Sequence, residues 1–188
     1  MNPVIVQLCS FKNIYNEKLR IELNNNPILK KFYDLYDIEF DSNREKFAKL
    51  KYKKKYSELS RLNKLLFWIS FNTYWRKKYA FDNTQDIVNI QYVDFRFIFI
   101  LPWIVRNFRK IILTFWGSDL LRQRKIRFIL MYPLFYYSHI ITFETEDMEC
   151  LFTHLTKGRF KSKYRRVRFG LSELREIDAC DNNDIIKF

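Results

Sequence analysis

The period of the apolar positions changes several times along the chain. Val4, Ile5, Val6 and Leu8 form a near-continuous apolar run within Pro3–Phe11, the pattern of a strand covered on both faces. Asn24-Asn25-Asn26-Pro27 predicts a turn and a helix start, with Asn26 as N-cap and Pro27 at the first helical position. Ile28, Leu29, Phe32, Leu35 and Tyr36 then fall on one helical stripe, and Ile38-Glu39-Phe40 reads as a short strand. From about Leu59 onward Leu62, Leu65, Leu66 and Ile69 recur at three- and four-residue intervals. That spacing predicts an amphipathic helix whose other face holds Arg61 and Lys64. Asp82-Asn83-Thr84-Gln85 is a polar break.

Beyond the break the pattern becomes regular. Strands are expected at Ile87–Tyr92, Lys110–Phe115, His139–Phe143 and Arg165–Phe169, the last ending at Gly170. Helices are expected at Phe95–Asn107, at Leu120–Tyr137 with a break near Pro133, and at Glu146–Leu155. Strands separated by helices of this length form βα units with parallel strands. The expected fold class is α/β, a mostly parallel sheet with helices on both faces, in which Ile87–Tyr92, Lys110–Phe115 and His139–Phe143 are adjacent central strands.

Composition narrows the function classes. The chain has 188 residues, 48% of them hydrophobic, with 19 Phe, 12 Tyr and 4 Trp but only 3 Gly. A packed core is therefore expected rather than disorder. No GxGxxG or Walker sequence is present, so no nucleotide site of the standard kind is encoded, and no cofactor is expected. Cys9, Cys150 and Cys180 lie far apart, with only two histidines to join them; that spacing gives no metal site and suits a reducing, cytoplasmic compartment. Val4–Cys9 is too short for a secretion signal. Phe97–Val105 and Phe128–Phe143 fall short of the ~20 apolar residues a membrane span requires.

Charge is concentrated rather than spread. The formal net charge is +13, and between Arg44 and Lys78 twelve Lys or Arg face only Glu45 and Glu58, a local net of +10. Such a band attracts anionic partners. The run Lys51, Lys53, Lys54 and Lys55, beside an amphipathic helix, makes peripheral attachment to an anionic membrane surface an expectation; a solvated charged face is the plainer alternative. Tyr52, Tyr56, Tyr74 and Trp75 interleave with the basic residues, as in nucleic-acid binders. Nucleic acid is the weaker reading, because no RNP, KH or zinc-finger pattern is present and most aromatics fall at core spacing.

One stretch is more specific. Thr114-Phe115-Trp116-Gly117-Ser118-Asp119-Leu120 resembles the strand-ending turn of the N-terminal domain of bacterial GT-B glycosyltransferases that build surface polysaccharides. His139–Phe152 is similar to that family's next strand and helix, and Val167–Asp178 to the segment near the end of its first domain. The resemblance covers roughly the last hundred residues well and the first eighty loosely. It implies one Rossmann-like domain over 1–178, containing the basic helical segment at about 44–80. Residues 179–188 would begin a linker to a second, sugar-nucleotide-binding domain expected to be missing from these 188 residues. The partners it implies are a sugar nucleotide, held with that other domain, and a glycan or lipid-linked acceptor. The family's glycine-containing loop after the first strand is absent, since Cys9-Ser10-Phe11-Lys12-Asn13 has no glycine.

In a doubly wound sheet, ligands meet the loops at the carboxyl ends of the strands. The candidate substrate-binding residues there are Asp94, Trp116, Gly117, Ser118, Thr145 and Glu146, with Asp119 as the candidate catalytic group. Trp116 offers a flat apolar face to a sugar ring, Gly117 lets a backbone approach, and the polar side chains can bond sugar hydroxyls. The plainer role for Ser118 or Asp119 is a helix N-cap, and the same holds for Glu144, Thr145 and Glu146. His139 is expected to be a satisfied core histidine, and no nucleophilic triad is arguable.

Overall fold

A computed structural model of the chain describes residues 4–9, 34–79, 85–121 and 124–167, with the isolated positions 21 and 25. Among the described residues six strands form one sheet: β1 (Val4–Cys9), β2 (Asp34–Glu39), β3 (Gln85–Gln91), β4 (Phe108–Phe115), β5 (Ile140–Phe143) and β6 (Tyr164–Arg166). Their order is β2-β1-β3-β4-β5-β6 and every pairing is parallel. This is the Rossmann-like α/β arrangement expected, with β3, β4 and β5 adjacent. The helices are α1 (Phe40–Tyr52), α2 (Arg61–Lys78), α3 (Leu101–Asn107), α4 (Ser118–Leu121), α5 (Lys125–Leu130), α6 (Tyr132–Tyr137) and α7 (Glu146–Thr156).

The register explains the core. Leu8, Ile90, Leu113, Ile141 and Tyr164 align across five strands, and Phe115 aligns with Phe143. All are buried, and the period of two puts them on one face. Aromatic rings from the helices close over this face: Phe135 and Phe152 pack on Phe115, while Phe40, Phe71, Trp75 and Phe97 form a second ring cluster. The opposite face carries a polar row, buried except at half-buried Asn89, whose members are bonded to one another, as buried polar groups must be. Gln91 donates to Gln7 at 3.2 Å, Thr114 to Asn89 at 2.7 Å, and Thr142 to Thr114 at 3.0 Å.

Several expectations are corrected. Leu35 and Tyr36 lie in β2 rather than on a helix, because a short apolar run satisfies either period and the parallel pairing with β1 decides it. The helix start at Asn26-Pro27, the segment 168–178, Cys180 and the loop 10–13 lie outside the described residues. Helix α1 falls within the basic helical segment expected at about 44–80 apart from its first turn, where Phe40 was expected to end a strand. Phe95–Asn107 divides into a 3-10 segment, Phe95–Ile100, and then α3, with Pro102 in its first turn, where a missing N–H costs nothing. His139 is exposed rather than buried, yet its Nδ1 accepts from the Ile111 N–H at 3.1 Å.

The largest correction concerns α2. Its buried side chains are Phe67, Trp68, Phe71 and Trp75, whereas Leu62, Leu65, Leu66 and Ile69 are exposed. On a 3.6-residue helix these two sets lie on nearly opposite faces. The aromatic set wins the core because each ring buries more surface than a leucine and gains ring–ring contacts. Phe67, for example, stacks on Phe71 at 5.3 Å.

Candidate functional site

The site is built where β3 and β4 end. These strands pair in register up to Gln91 and Thr114. Immediately after β3, Tyr92 adopts φ 53°, a left-handed conformation rare for a bulky side chain. Its ring lies against the Trp116 indole, with centroids 5.7 Å apart and planes within 11°. Gly117 follows at φ 87°, a value that favours glycine. A Cβ at this position would stand 3.7 Å from Met148 Sδ, so the constraint there is conformational rather than steric.

Asp119 ties the two loops together. Its Oδ1 accepts from the Trp116 N–H at 2.9 Å and its Oδ2 from the Val93 N–H at 3.0 Å. One carboxylate thus bonds to backbone beyond both strand ends, reaching Val93 across 26 residues of sequence. Burial raises its pKa from 3.8 to about 7, while the backbone amides of Trp116, Val93, Asp119 and Leu120 pull the other way. Ser118 opens α4, and its side chain lies outside the described residues.

A charged cluster occupies the neighbouring stretch of the same sheet edge. Asp94 accepts from the Arg96 N–H at 2.8 Å and from Arg96 Nε at 2.7 Å. Arg96 also reaches Asp41, which follows β2, at 2.8 Å, and Arg44 meets Asp41 at 2.8 Å. Since β1 lies between β2 and β3, the Arg96–Asp41 pair joins the start of α1 to the 3-10 segment after β3, across the end of β1. Burial raises the Asp41 pKa against the opposing charges of Arg96 and Arg44. Burial also works against the Arg96 charge, but the hydrogen bond and charge of Asp94 and the charge of Asp41 hold its pKa above the ordinary arginine value.

Thr145 and Glu146 follow β5, next to the Trp116 turn through the Phe115–Phe143 pairing. Thr145 caps α7, accepting from the Met148 N–H at 3.3 Å. Glu146 is exposed and pairs with Arg166 at 3.1 Å. Asp94, Trp116, Gly117, Asp119, Thr145 and Glu146 therefore share one edge of the sheet. Lys51, Lys53, Lys54 and Lys55 lie at the end of α1 and just beyond it, all exposed. Lys51 donates to Ser70 Oγ on α2.

Tyr92 is the residue that sequence reasoning missed, because nothing local distinguishes a tyrosine after a strand from a core aromatic. Asp41 was missed for a similar reason, since its partner is the distant Arg96, and Arg44 matters only through Asp41. Among the described residues no cluster of His, Cys, Asp or Glu could hold a metal ion, and no helix is long and apolar enough to cross a membrane. Comparison with protein-family models, with curated proteins and with solved structures found no match to this chain.

Proposed function

We propose that this chain is the acceptor-side domain of a glycosyltransferase that moves a sugar from a sugar nucleotide to a glycan or lipid-linked acceptor in surface polysaccharide synthesis. The observation that supports this most is the Trp116–Tyr92 stack at the carboxyl ends of β4 and β3. Ligands of open α/β sheets bind at such strand ends, and a half-buried indole backed by a second ring is a firm platform for a sugar ring. Asp94, Thr145 and Glu146, beyond the neighbouring strand ends on the same edge, would serve as hydroxyl partners. Asp119 lies near neutrality, where a group can exchange protons. Both of its oxygens are already taken by backbone amides, so its role in this reading is to position Trp116 and the β3 loop. The donor's nucleotide would be held by a second Rossmann-like domain, and transfer would take place in the cleft between the two.

The test is calorimetric titration of residues 1–188 with surface-polysaccharide oligosaccharides and, separately, with sugar nucleotides. Oligosaccharide binding that disappears in Trp116→Ala, with no response to sugar nucleotide alone, is the expected result. Tight sugar-nucleotide binding, or glycan binding that survives Trp116→Ala, would overturn the proposal. Robust sugar transfer by residues 1–188 alone would overturn the two-domain arrangement, since orientation of the reactants can contribute ~7–11 kcal/mol to lowering the barrier.

A further inference from the structure

The exposed face of α2 is an apolar row set among uncompensated positive charges. Leu62, Leu65 and Ile69 are 67%, 64% and 67% exposed, and Leu66 is 46% exposed. Their i, i+3, i+4, i+7 spacing makes one stripe along two turns. Nothing in the fold needs them there, because α2 already anchors itself through Phe67, Trp68, Phe71 and Trp75. Leu50, near the end of α1, is also exposed, at 64%.

The surrounding charge identifies what fits this stripe. Lys51 is held at its flank by donating to Ser70 Oγ, and Ser70 in turn donates to the Leu66 carbonyl at 3.0 Å. Lys53, Lys54 and Lys55 follow in the exposed connection to α2, Arg61 lies in its first turn, and Arg76 and Lys77 in its last. The two acids of this segment are already engaged: Glu45 accepts from the Tyr56 N–H and from Arg44, and Glu58 accepts from the Lys55 N–H. A second copy of the chain would set one lysine cluster against another. A polyanion such as RNA would satisfy the lysines but leave the leucines in water. An anionic bilayer satisfies both, taking aliphatic side chains into the acyl boundary and cations at the headgroups.

We infer that the Leu62–Ile69 face of α2, with Lys51 and Lys53–Lys55 beside it, is an interfacial docking surface for anionic phospholipid. In the same layer, α5 packs on the 3-10 segment that also packs on α2. It too exposes aliphatic side chains, Ile126, Ile129 and Leu130, beside Arg124, Lys125 and Arg127. The outer surface of the helical layer therefore has the same character at two places. This inference is independent of the glycosyltransferase reading, since the stripe lies on the helices and the proposed sugar platform on the strand ends.

The experiment is co-sedimentation of the full chain with vesicles of phosphatidylcholine alone and of phosphatidylcholine mixed with phosphatidylglycerol, over a salt series. Binding only to the mixed vesicles is expected. The double variant Leu65→Ser, Ile69→Ser should lose about tenfold for each side chain removed. Lys53→Glu, Lys54→Glu and Lys55→Glu should each lose about fivefold at low salt. All four variants alter exposed positions only, so thermal melting should match the parent. Lysine-dependent binding that the Leu65→Ser, Ile69→Ser variant leaves unchanged would mean a purely electrostatic polyanion surface and would overturn the inference. So would a dimer that this variant dissociates, or absence of binding to the mixed vesicles.

Discussion

Replacing Asp119 by Asn tests whether a buried carboxyl joins the two strand-end loops. In the folded protein burial raises this carboxyl from 3.8 to about 7, so between those values the folded chain holds a proton that the unfolded chain has released. Folding then takes up a proton, and stability falls as pH rises through this window, levelling off above about 7. The difference corresponds to about 4 kcal/mol as an upper bound, at ~1.36 kcal/mol per tenfold change in affinity for the proton. Asn keeps one acceptor but puts an NH2 donor where the second carboxyl oxygen accepts, so Asp119→Asn should be about 1–3 kcal/mol less stable than the parent near pH 4. This deficit should shrink or reverse near pH 7.5, by about 4 kcal/mol at most. Asp119→Ala should be destabilised at every pH, because the Trp116 and Val93 N–H groups lose their acceptor at about 1–3 kcal/mol each. Urea denaturation of all three proteins across this pH range reads both effects. If the parent and Asp119→Asn show parallel pH profiles, the carboxyl is not the buried, proton-holding group described here.

Further substitutions test the neighbouring structure. Phe71→Ala should cost about 3–5 kcal/mol, because the ring is fully buried in the aromatic cluster, while Leu65→Ser should stay within about 0.5 kcal/mol in chemical denaturation. The reverse order would restore the leucine face to the core. Gly117→Ala should cost about 1–2 kcal/mol of stability from its positive φ alone, read as a lower melting temperature. Because a Cβ there finds ordinary contact distance at Met148, a much larger loss would contradict the geometry. Thr145→Ala should cost about 1 kcal/mol through loss of the α7 cap, with no change in its pH profile.

The sheet was legible where strand and loop chemistry alternated strongly. Ile87, Val88 and Ile90, and Ile111–Leu113, are β-branched or aliphatic positions bounded by polar residues, and both segments became central strands. The buried stripe of helix α1, Phe40, Asn43, Phe47 and Ala48, was obscured by its lysines, although it carries a helical spacing. On α2 two apolar sets compete, and hydrophobic periodicity cannot rank leucines against aromatics without the shape of the surface they meet. The site was legible as a turn and not as a device. Trp116, Gly117 and Asp119 could be picked out of the sequence, but the Asp119 bond to Val93 and the ring of Tyr92 depend on strand pairing between distant segments. The same is true of Arg96 and Asp41, which are 55 residues apart.

The central claim is that a sugar ring binds on Trp116 at the carboxyl edge of the sheet. The chain has four tryptophans, Trp68, Trp75, Trp103 and Trp116, so its indole N–H signals can be assigned by single Trp→Phe substitutions and followed by nuclear magnetic resonance during glycan titration. Trp68, Trp75 and Trp103 are buried, whereas Trp116 is half-buried at the strand ends. The Trp116 signal should shift on saturation while the other three hold still. A glycan that binds and moves Trp68, Trp75 or Trp103 while leaving Trp116 unchanged would contradict it.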